Sequence, residues 1–242
     1  KAAPDGYTLV LGITGTLAIN PSLFQKLPYD PVSDFAPVSL IAIGPNALVT
    51  HPSLPVSTIK ELIAFAKQRP GKLSYASSGI GGAPHLAGEL FKSMAGVDIV
   101  HIPYKGAAPA TVDVLGGHVP IMFAGLGAAL PYIHTGKLRA LGVAGKARSS
   151  QLPAVPAIGE VLPGFAAETW FGILAPRNTP SHIVERLSTL LNAVASRRDV
   201  RDQLLSGGYE VALSTPKEFA EHVVLEIKKW APVVKRSGVT AQ

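Results

Sequence analysis

The alternation of short apolar stretches with helix signals across the middle of the chain constrains the fold most. Three of these stretches have the length of buried strands, and they are Leu73–Ala76, Asp98–Ile102 and Val119–Phe123. Between them, one predicted helix has Pro84 in its first turn and ends at Gly96, and a second spans Ala107–Leu115. Strands that alternate with helices favour a mainly parallel sheet, so the sequence predicts an α/β fold.

Further strands are predicted on both sides of this region. They are Tyr7–Leu11, Phe35–Ile43, Asn46–Thr50, Leu138–Val143 and Glu168–Pro176, with a predicted loop at Gly12–Thr16. Thr58 with Glu61, and Thr215 with Glu218, have the spacing of capping boxes and predict two helix starts. The C-terminal part is mostly helical and is expected to cover a sheet that begins near the N-terminus.

The composition excludes several kinds of protein. Of the 242 residues, 47% are hydrophobic and 16% are charged, which is typical of a folded globular chain. No cysteine is present, so disulfides, thiolate catalysis and cysteine-bound zinc are excluded. The net charge is +6, but the basic residues occur in scattered pairs without interleaved aromatics, which argues against nucleic acid as a partner. The longest apolar run, Ile121–Ile133, is too short to cross a membrane.

The stretch SYASSGIGGAPHLAGELF, at positions 74–91, leads from a predicted strand into a helix. It is not a Walker A loop, because Gly82 is followed by Ala83-Pro84-His85 and not by Lys and Ser or Thr. It is not a dinucleotide fingerprint, because Pro84 stands where the third glycine is needed. It is not a nucleophile elbow, because neither Ser77 nor Ser78 has a glycine two residues before it.

Two interpretations of this loop remain open. Its backbone N–H groups lie at the start of a helix, where unpaired amides and the helix dipole favour an anion such as a carboxylate or a phosphate. A plain strand-to-helix turn with a serine cap accounts for the same residues equally well. The residues alone do not separate these two interpretations.

Other polar residues give weaker signals. His85 and Glu89 are one helical turn apart, but no third ligand has matching spacing, so no metal site is predicted. His101 lies in an apolar strand and is expected to be a core or lobe-interface residue. Tyr104 and Lys105 follow that strand, where ligands of α/β sheets gather, and Lys105 could bind an anion or lie in solvent.

Several stretches together resemble a known family. APDGYTLVLG, GTLAINPSLFQKLPYDPVSDFAPVSLI, SYASSGIGGAPHLAGELFKSMAGVDIVHIPYKG and WFGILAPRNTP are similar to the tripartite tricarboxylate transporter receptors. These TctC-like proteins, also called Bug proteins, are periplasmic solute-binding receptors. The resemblance runs from Ala3 to the C-terminus. It implies a type II periplasmic binding protein fold with two α/β lobes and a hinge.

The resemblance also implies a division of the chain. Residues 1–48 and 171–242 are expected to form the first lobe, and residues 49–170 the second. The hinge crossings are expected near Asn46–Thr50 and Phe171–Pro176. Family members carry an N-terminal strand and a Pro-Gly-Gly-rich anion loop that this sequence lacks, and Lys1-Ala2-Ala3-Pro4 is not a typical start, so a cut N-terminus is expected.

In this family two loops, one from each lobe, bind a carboxylate of the ligand. The resemblance assigns the second-lobe loop to Ser77, Ser78, Gly79, Ile80, Gly81 and Gly82. The other expected ligand contacts are Gly15, Thr16 and Ala18 in the first lobe and His85, Tyr104, Lys105 and Ala124 in the second. Relatives often have Asp-Asn where this chain has Ala124-Gly125, so the far end of the ligand is expected to be apolar, as in an aromatic or alkyl carboxylate.

The predicted function is that of a monomeric periplasmic receptor. It would capture a small carboxylate and deliver it to the subunits of a membrane transporter, without enzymatic activity, cofactor or metal. Two alternatives remain. One is a serine hydrolase that uses Ser77 or Ser78 with His85 or His101, and the other is a carboxylate-sensing subunit of a signalling system.

Overall fold

The computed structural model describes residues 2–239, and these form two compact units. The first unit contains residues 2–43 and 169–239, and the second contains Gly44–Glu168. These borders differ by a few residues from the predicted lobe borders after residues 48 and 170. The closure of two lobes on a ligand stays a prediction.

Eight strands and eight α-helices make up the described chain. The strands are β1 Val10–Ile13, β2 Phe35–Thr50, β3 Leu73–Ser77, β4 Ile99–Pro103, β5 Ile121–Gly125, β6 Arg139–Val143, β7 Glu168–Pro176 and β8 Glu210–Val211. The helices are α1 Asn20–Leu23, α2 Ile59–Lys67, α3 Ala83–Ala95, α4 Ala107–Leu115, α5 Leu126–His134, α6 Ser181–Ala195, α7 Arg198–Ser206 and α8 Pro216–Ser237. A π-helical turn at Gly15–Ile19 and a 3₁₀ turn at Ile158–Glu160 complete the list. Within residues 2–239, no helix is long and apolar enough to span a bilayer.

The second unit contains a mixed sheet with the order β4-β3-β5-β2-β6. β3 is parallel to both β4 and β5, with Ser77 opposite Pro103 and Ala76 opposite Met122. β2 is antiparallel to β5 and to β6. The parallel register brings the carboxyl ends of β3, β4 and β5 to the same edge of the sheet, which positions the candidate site.

The first unit contains β1, β7, the first part of β2, and β8. β1 is antiparallel to β7, with Val10 opposite Leu174, and β8 is antiparallel to β2, with Ala42 opposite Val211. α8 begins at the predicted capping box, where Thr215 Oγ1 accepts from Glu218 N at 3.2 Å and Glu218 Oε2 accepts from Thr215 N at 2.7 Å. At α2 the predicted helix start is confirmed but the box is only half formed: Thr58 Oγ1 accepts from Glu61 N at 3.1 Å, while Glu61 Oε2 accepts from Ser57 N, at 2.6 Å, in place of Thr58 N.

The structure corrects three local predictions. The first strand begins at Val10 rather than at Tyr7, and the predicted loop at Gly12–Thr16 instead contains the end of β1 and the π-helical turn. The predicted strands Phe35–Ile43 and Asn46–Thr50 form one strand. They are continuous because Ile43 still pairs with Glu210 and Asn46 already pairs with Gly125, so only two residues separate the ladders.

The third correction concerns the apolar run Ile121–Ile133. The run divides at Gly125 into β5 and the helix α5, which was not predicted. The sequence hides this helix because Gly127 and Pro131 interrupt it and all of its faces are apolar, so no helical period stands out.

A buried carboxylate organises the core of the first unit. Glu226 of α8 is 7% exposed, and its Oε2 accepts from Trp170 Nε1 at 3.1 Å and from Trp230 Nε1 at 3.0 Å. Its Oε1 accepts from Lys229 Nζ at 2.7 Å. Burial alone would raise the pKa of this carboxyl, but the Lys229 ammonium and the two indole donors hold the pKa below its usual value.

We predict that Glu226→Ala lowers the free energy of unfolding by about 3 kcal/mol, because it leaves two buried indole N–H groups without their acceptor. Glu226→Gln should cost less, since its amide oxygen still accepts. Urea unfolding measures both variants. The matched control is Glu221→Ala, an exposed position on the same helix, which should shift stability by less than about 0.5 kcal/mol. Equal losses at residues 221 and 226 would contradict this account of the core.

Candidate functional site

Three helices of the second unit begin at the edge where β3, β4 and β5 end. Their N-cap residues are Gly82 for α3, Gly106 for α4 and Gly125 for α5. None of these caps has a side chain that could bond the first amides of its helix. The helix starts therefore present backbone donors rather than capped ends.

The loop between β3 and α3 depends on its glycines. Gly79 has φ +144° and Gly81 has φ +76°, conformations that side-chain-bearing residues rarely adopt. A Cβ atom at Gly79 would also lie 3.4 Å from the Tyr104 carbonyl oxygen. These glycines allow the chain to reverse direction at the sheet edge, and they have no side chains that would cover the backbone of the loop.

The hydroxyl of Ser77 belongs to the framework of the loop. Ser77 is 0% exposed, and its Oγ lies 2.7 Å from His101 Nε2 and 3.1 Å from the Gly79 carbonyl oxygen. It also accepts from Gly79 N at 3.3 Å. Ser77 therefore stabilises the loop from its buried side, and its hydroxyl is already hydrogen-bonded within the protein.

The outer part of the loop has the unpaired donors. Across residues 2–239, no protein acceptor bonds the N–H groups of Ser78, Ile80 or Gly82, or the half-buried hydroxyl of Ser78. Ile80 is 61% exposed beside them. Unpaired amides at the start of a 13-residue helix are donors of the kind that anions accept from, and here an apolar side chain lies beside them.

His85 lies in the first turn of α3 and bonds the backbone of this loop. It is 2% exposed, and its Nδ1 accepts from Gly81 N at 3.0 Å. A nitrogen that accepts a hydrogen bond carries no proton, so His85 is neutral with its proton on Nε2. Burial, followed by the nearby charge of Lys92, lowers the pKa of His85 to about 4.

The ring of His101 lies against His85, and the ring of Tyr75 lies against His101. The imidazoles of His85 and His101 stack with centroids 3.9 Å apart, and Tyr75 stacks on His101 at 4.9 Å. Burial, followed by the neighbouring His85, lowers the pKa of His101 to about 4. The Tyr75 hydroxyl donates to Glu89 Oε1 at 2.7 Å, and burial and then this carboxylate raise the pKa of Tyr75.

The i,i+4 pair His85 and Glu89 is not arranged as a metal site. His85 Nδ1 is bonded to Gly81, and Glu89 Oε1 also accepts from Lys92 Nζ at 2.9 Å. In the described part of the chain, no three His, Cys, Asp or Glu side chains are grouped so that they could hold a metal ion.

The remaining candidates of the second unit differ in accessibility. The Tyr104 hydroxyl donates to Asp113 Oδ2 at 2.6 Å, and desolvation and then this bond raise the pKa of Tyr104 to about 12. That hydroxyl is bonded within the protein. Lys105 is exposed at the same edge, and Ala124 is buried in β5 next to the exposed Gly125.

The three candidates of the first unit lie on its π-helical turn. Gly15 is half-buried, and the exposed Thr16 uses its Oγ1 to bond the backbone of Ile13 at 3.1 and 3.2 Å. Ala18 is fully buried. These residues belong to the first unit, whereas the loop around Ser78 belongs to the second.

The packing of Tyr75 and His101 against the buried side of the loop was not predicted from the sequence. The available signal was the strand register: Tyr75 and Ser77 alternate onto the same face of β3, and His101 pairs with Tyr75. Without knowledge that β4 lies next to β3 in this register, His101 could be assigned only to a core or an interface.

Comparison with known proteins identifies relatives along the whole chain. Residues 1–239 match the family described as the tripartite tricarboxylate transporter family receptor. The structure of Rpa4515 with adipate, from R. palustris, is 38% identical with a TM-score of 0.86, and the match covers 99% of this chain and 81% of that one. The periplasmic binding protein BugD is 33% identical with a TM-score of 0.83, covering 100% and 82%. MatC (Rpa3494) from Rhodopseudomonas palustris with bound malate is 33% identical with a TM-score of 0.80, covering 96% and 81%.

Because burial lowers the pKa of His85 and of His101, we predict that the stability of the protein depends on pH. Their pKa falls from 6.5 to about 4 on folding, so the unfolded chain binds more protons between these values and stability decreases as the pH falls from about 6.5 to about 4. For His85 this loss is about 3 kcal/mol at pH 4 and below. Urea unfolding followed by far-ultraviolet circular dichroism measures it.

The double variant His85→Asn/His101→Gln should flatten this part of the pH dependence, because neither replacement titrates. The control His134→Asn changes an exposed histidine of the same unit and should leave the dependence as in the wild type. Parallel stability curves for the wild type and the double variant would show that the buried pair does not titrate on unfolding.

Proposed function

Because this chain belongs to the tripartite tricarboxylate transporter receptor family, we propose that it binds a small carboxylate at the loop formed by Ser77–Gly82. The observation that carries the proposal is the set of N–H groups at Ser78, Ile80 and Gly82, at the uncapped start of α3, that no acceptor within residues 2–239 bonds. Carboxylate oxygens accept hydrogen bonds from such groups, and bonds of this charged kind are stronger than neutral ones.

Binding at this loop needs no covalent step. The amides and the Ser78 hydroxyl supply directed donors, the dipole of α3 favours negative charge, and the glycines let the backbone approach the ligand closely. The net charge of +6 adds a field that attracts anions. The chain therefore acts as a receptor that takes up and releases its ligand unchanged.

The body of the ligand is apolar in this proposal. Ile80 is 61% exposed beside the free amides, and Ala124-Gly125 brings no polar side chain to the end of β5. The solved relatives contain adipate, whose body is an alkyl chain, and malate, whose body carries a hydroxyl. We favour an alkyl or aromatic carboxylate over an amino acid, because an unpaired ammonium or hydroxyl would lose its hydration without gaining a partner.

The wider role follows from the family. As a monomeric receptor in the periplasm, the chain would deliver its ligand to the subunits of a membrane transporter. Co-purification with membrane proteins of the same cell, in the presence and absence of ligand, tests this delivery role. A signalling protein recovered in place of a transporter would favour the sensing alternative.

One contact favours the hydrolase alternative, namely the 2.7 Å distance between Ser77 Oγ and His101 Nε2. The burial of Ser77 opposes it, since a nucleophile must reach the carbonyl carbon of a substrate. A serine hydrolase also needs an acid that orients its histidine. The nearby Glu89 carboxylate accepts from Tyr75 and Lys92 instead, so it does not complete a Ser–His–acid triad. Ester hydrolysis by the wild type that disappears in Ser77→Ala would overturn the receptor proposal.

We predict that Ser78→Ala weakens carboxylate binding about tenfold, the cost of one hydrogen bond to a charged acceptor. Calorimetry with adipate, benzoate, malate and aspartate measures the affinities, and adipate or benzoate should bind more tightly than aspartate. The matched control is Ser93→Ala on the exposed face of α3, which should bind as the wild type does. Unchanged affinity in Ser78→Ala, or tight binding of aspartate alone, would refute the proposed site or the proposed ligand class.

A further inference from the structure

We infer that His85 is a positioning residue for the loop Ser77–Gly82, here called the anion loop, and that, with the ring of His101 stacked on it, His85 holds the loop in its binding geometry only while its own imidazole is neutral. This inference rests on the proposed carboxylate site and concerns how that site is built. His85 acts through the Gly81 amide, and His101 acts through the Ser77 hydroxyl. Neither ring needs to touch the ligand.

The bond from Gly81 to His85 selects which amides remain free. Gly81 is buried and donates its N–H to Nδ1 at 3.0 Å, whereas the N–H groups of Ile80 and Gly82 on either side have no acceptor in the described part of the chain. Because the Gly81 N–H is held toward the interior by His85, the peptide planes of Ile80 and Gly82 on either side of it are held in fixed orientations. Loss of the inward bond would free Gly81 to rotate, and its neighbours would lose their fixed directions.

The second anchor lies at the other end of the loop. Ser77 Oγ lies 2.7 Å from His101 Nε2 and accepts from Gly79 N at 3.3 Å. The two anchors meet because the His85 and His101 rings stack at 3.9 Å with an angle of 20° between their planes. Displacement of one ring therefore disturbs both ends of the loop.

The surroundings oppose a proton on His85. α3 brings Lys92 and Glu89 near them, β3 brings Tyr75, and β4 carries His101 itself. Glu89 is the single acid in this group, and its charge already pairs with Lys92 and accepts from Tyr75. A proton on His85 would thus face a second imidazole and an ammonium, and it would remove the acceptor of Gly81. The pKa of about 4 for His85 agrees with this geometry.

Amide NMR of the ligand-free protein tests the positioning directly. Between pH 7.5 and pH 3.5, the Gly81 amide signal of the wild type should shift with a midpoint near 4, as its acceptor becomes protonated. In His85→Asn, whose Oδ1 replaces Nδ1 as acceptor and does not titrate, the signal should stay constant. His134→Asn alters an exposed histidine and should follow the wild type. Identical pH profiles for Gly81 in the wild type and His85→Asn would overturn the inference.

Adipate binding at pH 7.5 provides the second readout. His85→Leu, which has no acceptor, should bind adipate at least about tenfold more weakly than His85→Asn, because only the asparagine holds Gly81 inward. Urea unfolding of both variants compares their stabilities. Equal affinities of the two variants would overturn the positioning role even if both are destabilised. If the wild type bound no carboxylate, the proposed function would fail, and the NMR profile of Gly81 would still decide whether His85 positions the loop.

Discussion

The candidate site depends on the parallel pairing of β3 with β4 and β5. This register brings three strand ends to one edge, so three helices start there with glycine caps. The same register places His101 opposite Tyr75 and within hydrogen-bonding distance of Ser77. One hydrogen-bonded ladder thus determines both where backbone donors are exposed and which side chains support them from inside the sheet.

Local signals in the sequence predicted most of the second unit. Strand lengths, Pro84 and Gly96 were sufficient to locate β3, α3 and β4, because each of these features acts within a few residues of itself. The continuous strand β2 and the helix α5 were not predicted. In both cases the outcome depends on distant pairing: β8 and β5 keep β2 extended past Pro45, and packing of an apolar segment determines that α5 is a helix.

The candidate site could be predicted only in part for the same reason. The glycines and serines of the loop identified an anion seat as one of two interpretations, and the family resemblance favoured it. The different roles of the two serines could not be predicted, since Ser77 is buried and bonded to a histidine 24 residues away, while Ser78 is half-buried and has no such bond within residues 2–239. Likewise, Tyr104 could be placed at the sheet edge, but its bond to Asp113 depends on the position of α4, which packs against β3 and β5.

The two indoles that share Glu226 have a consequence for spectroscopy. They are the only tryptophans in the sequence, and both belong to the first unit. Their emission will therefore report the polarity and order around one buried carboxylate, while the second unit, with the loop Ser77–Gly82, contains tyrosine and phenylalanine but no tryptophan. A tryptophan placed in the second unit would give that unit an optical signal of its own, and the natural pair would then serve as an internal reference for the first.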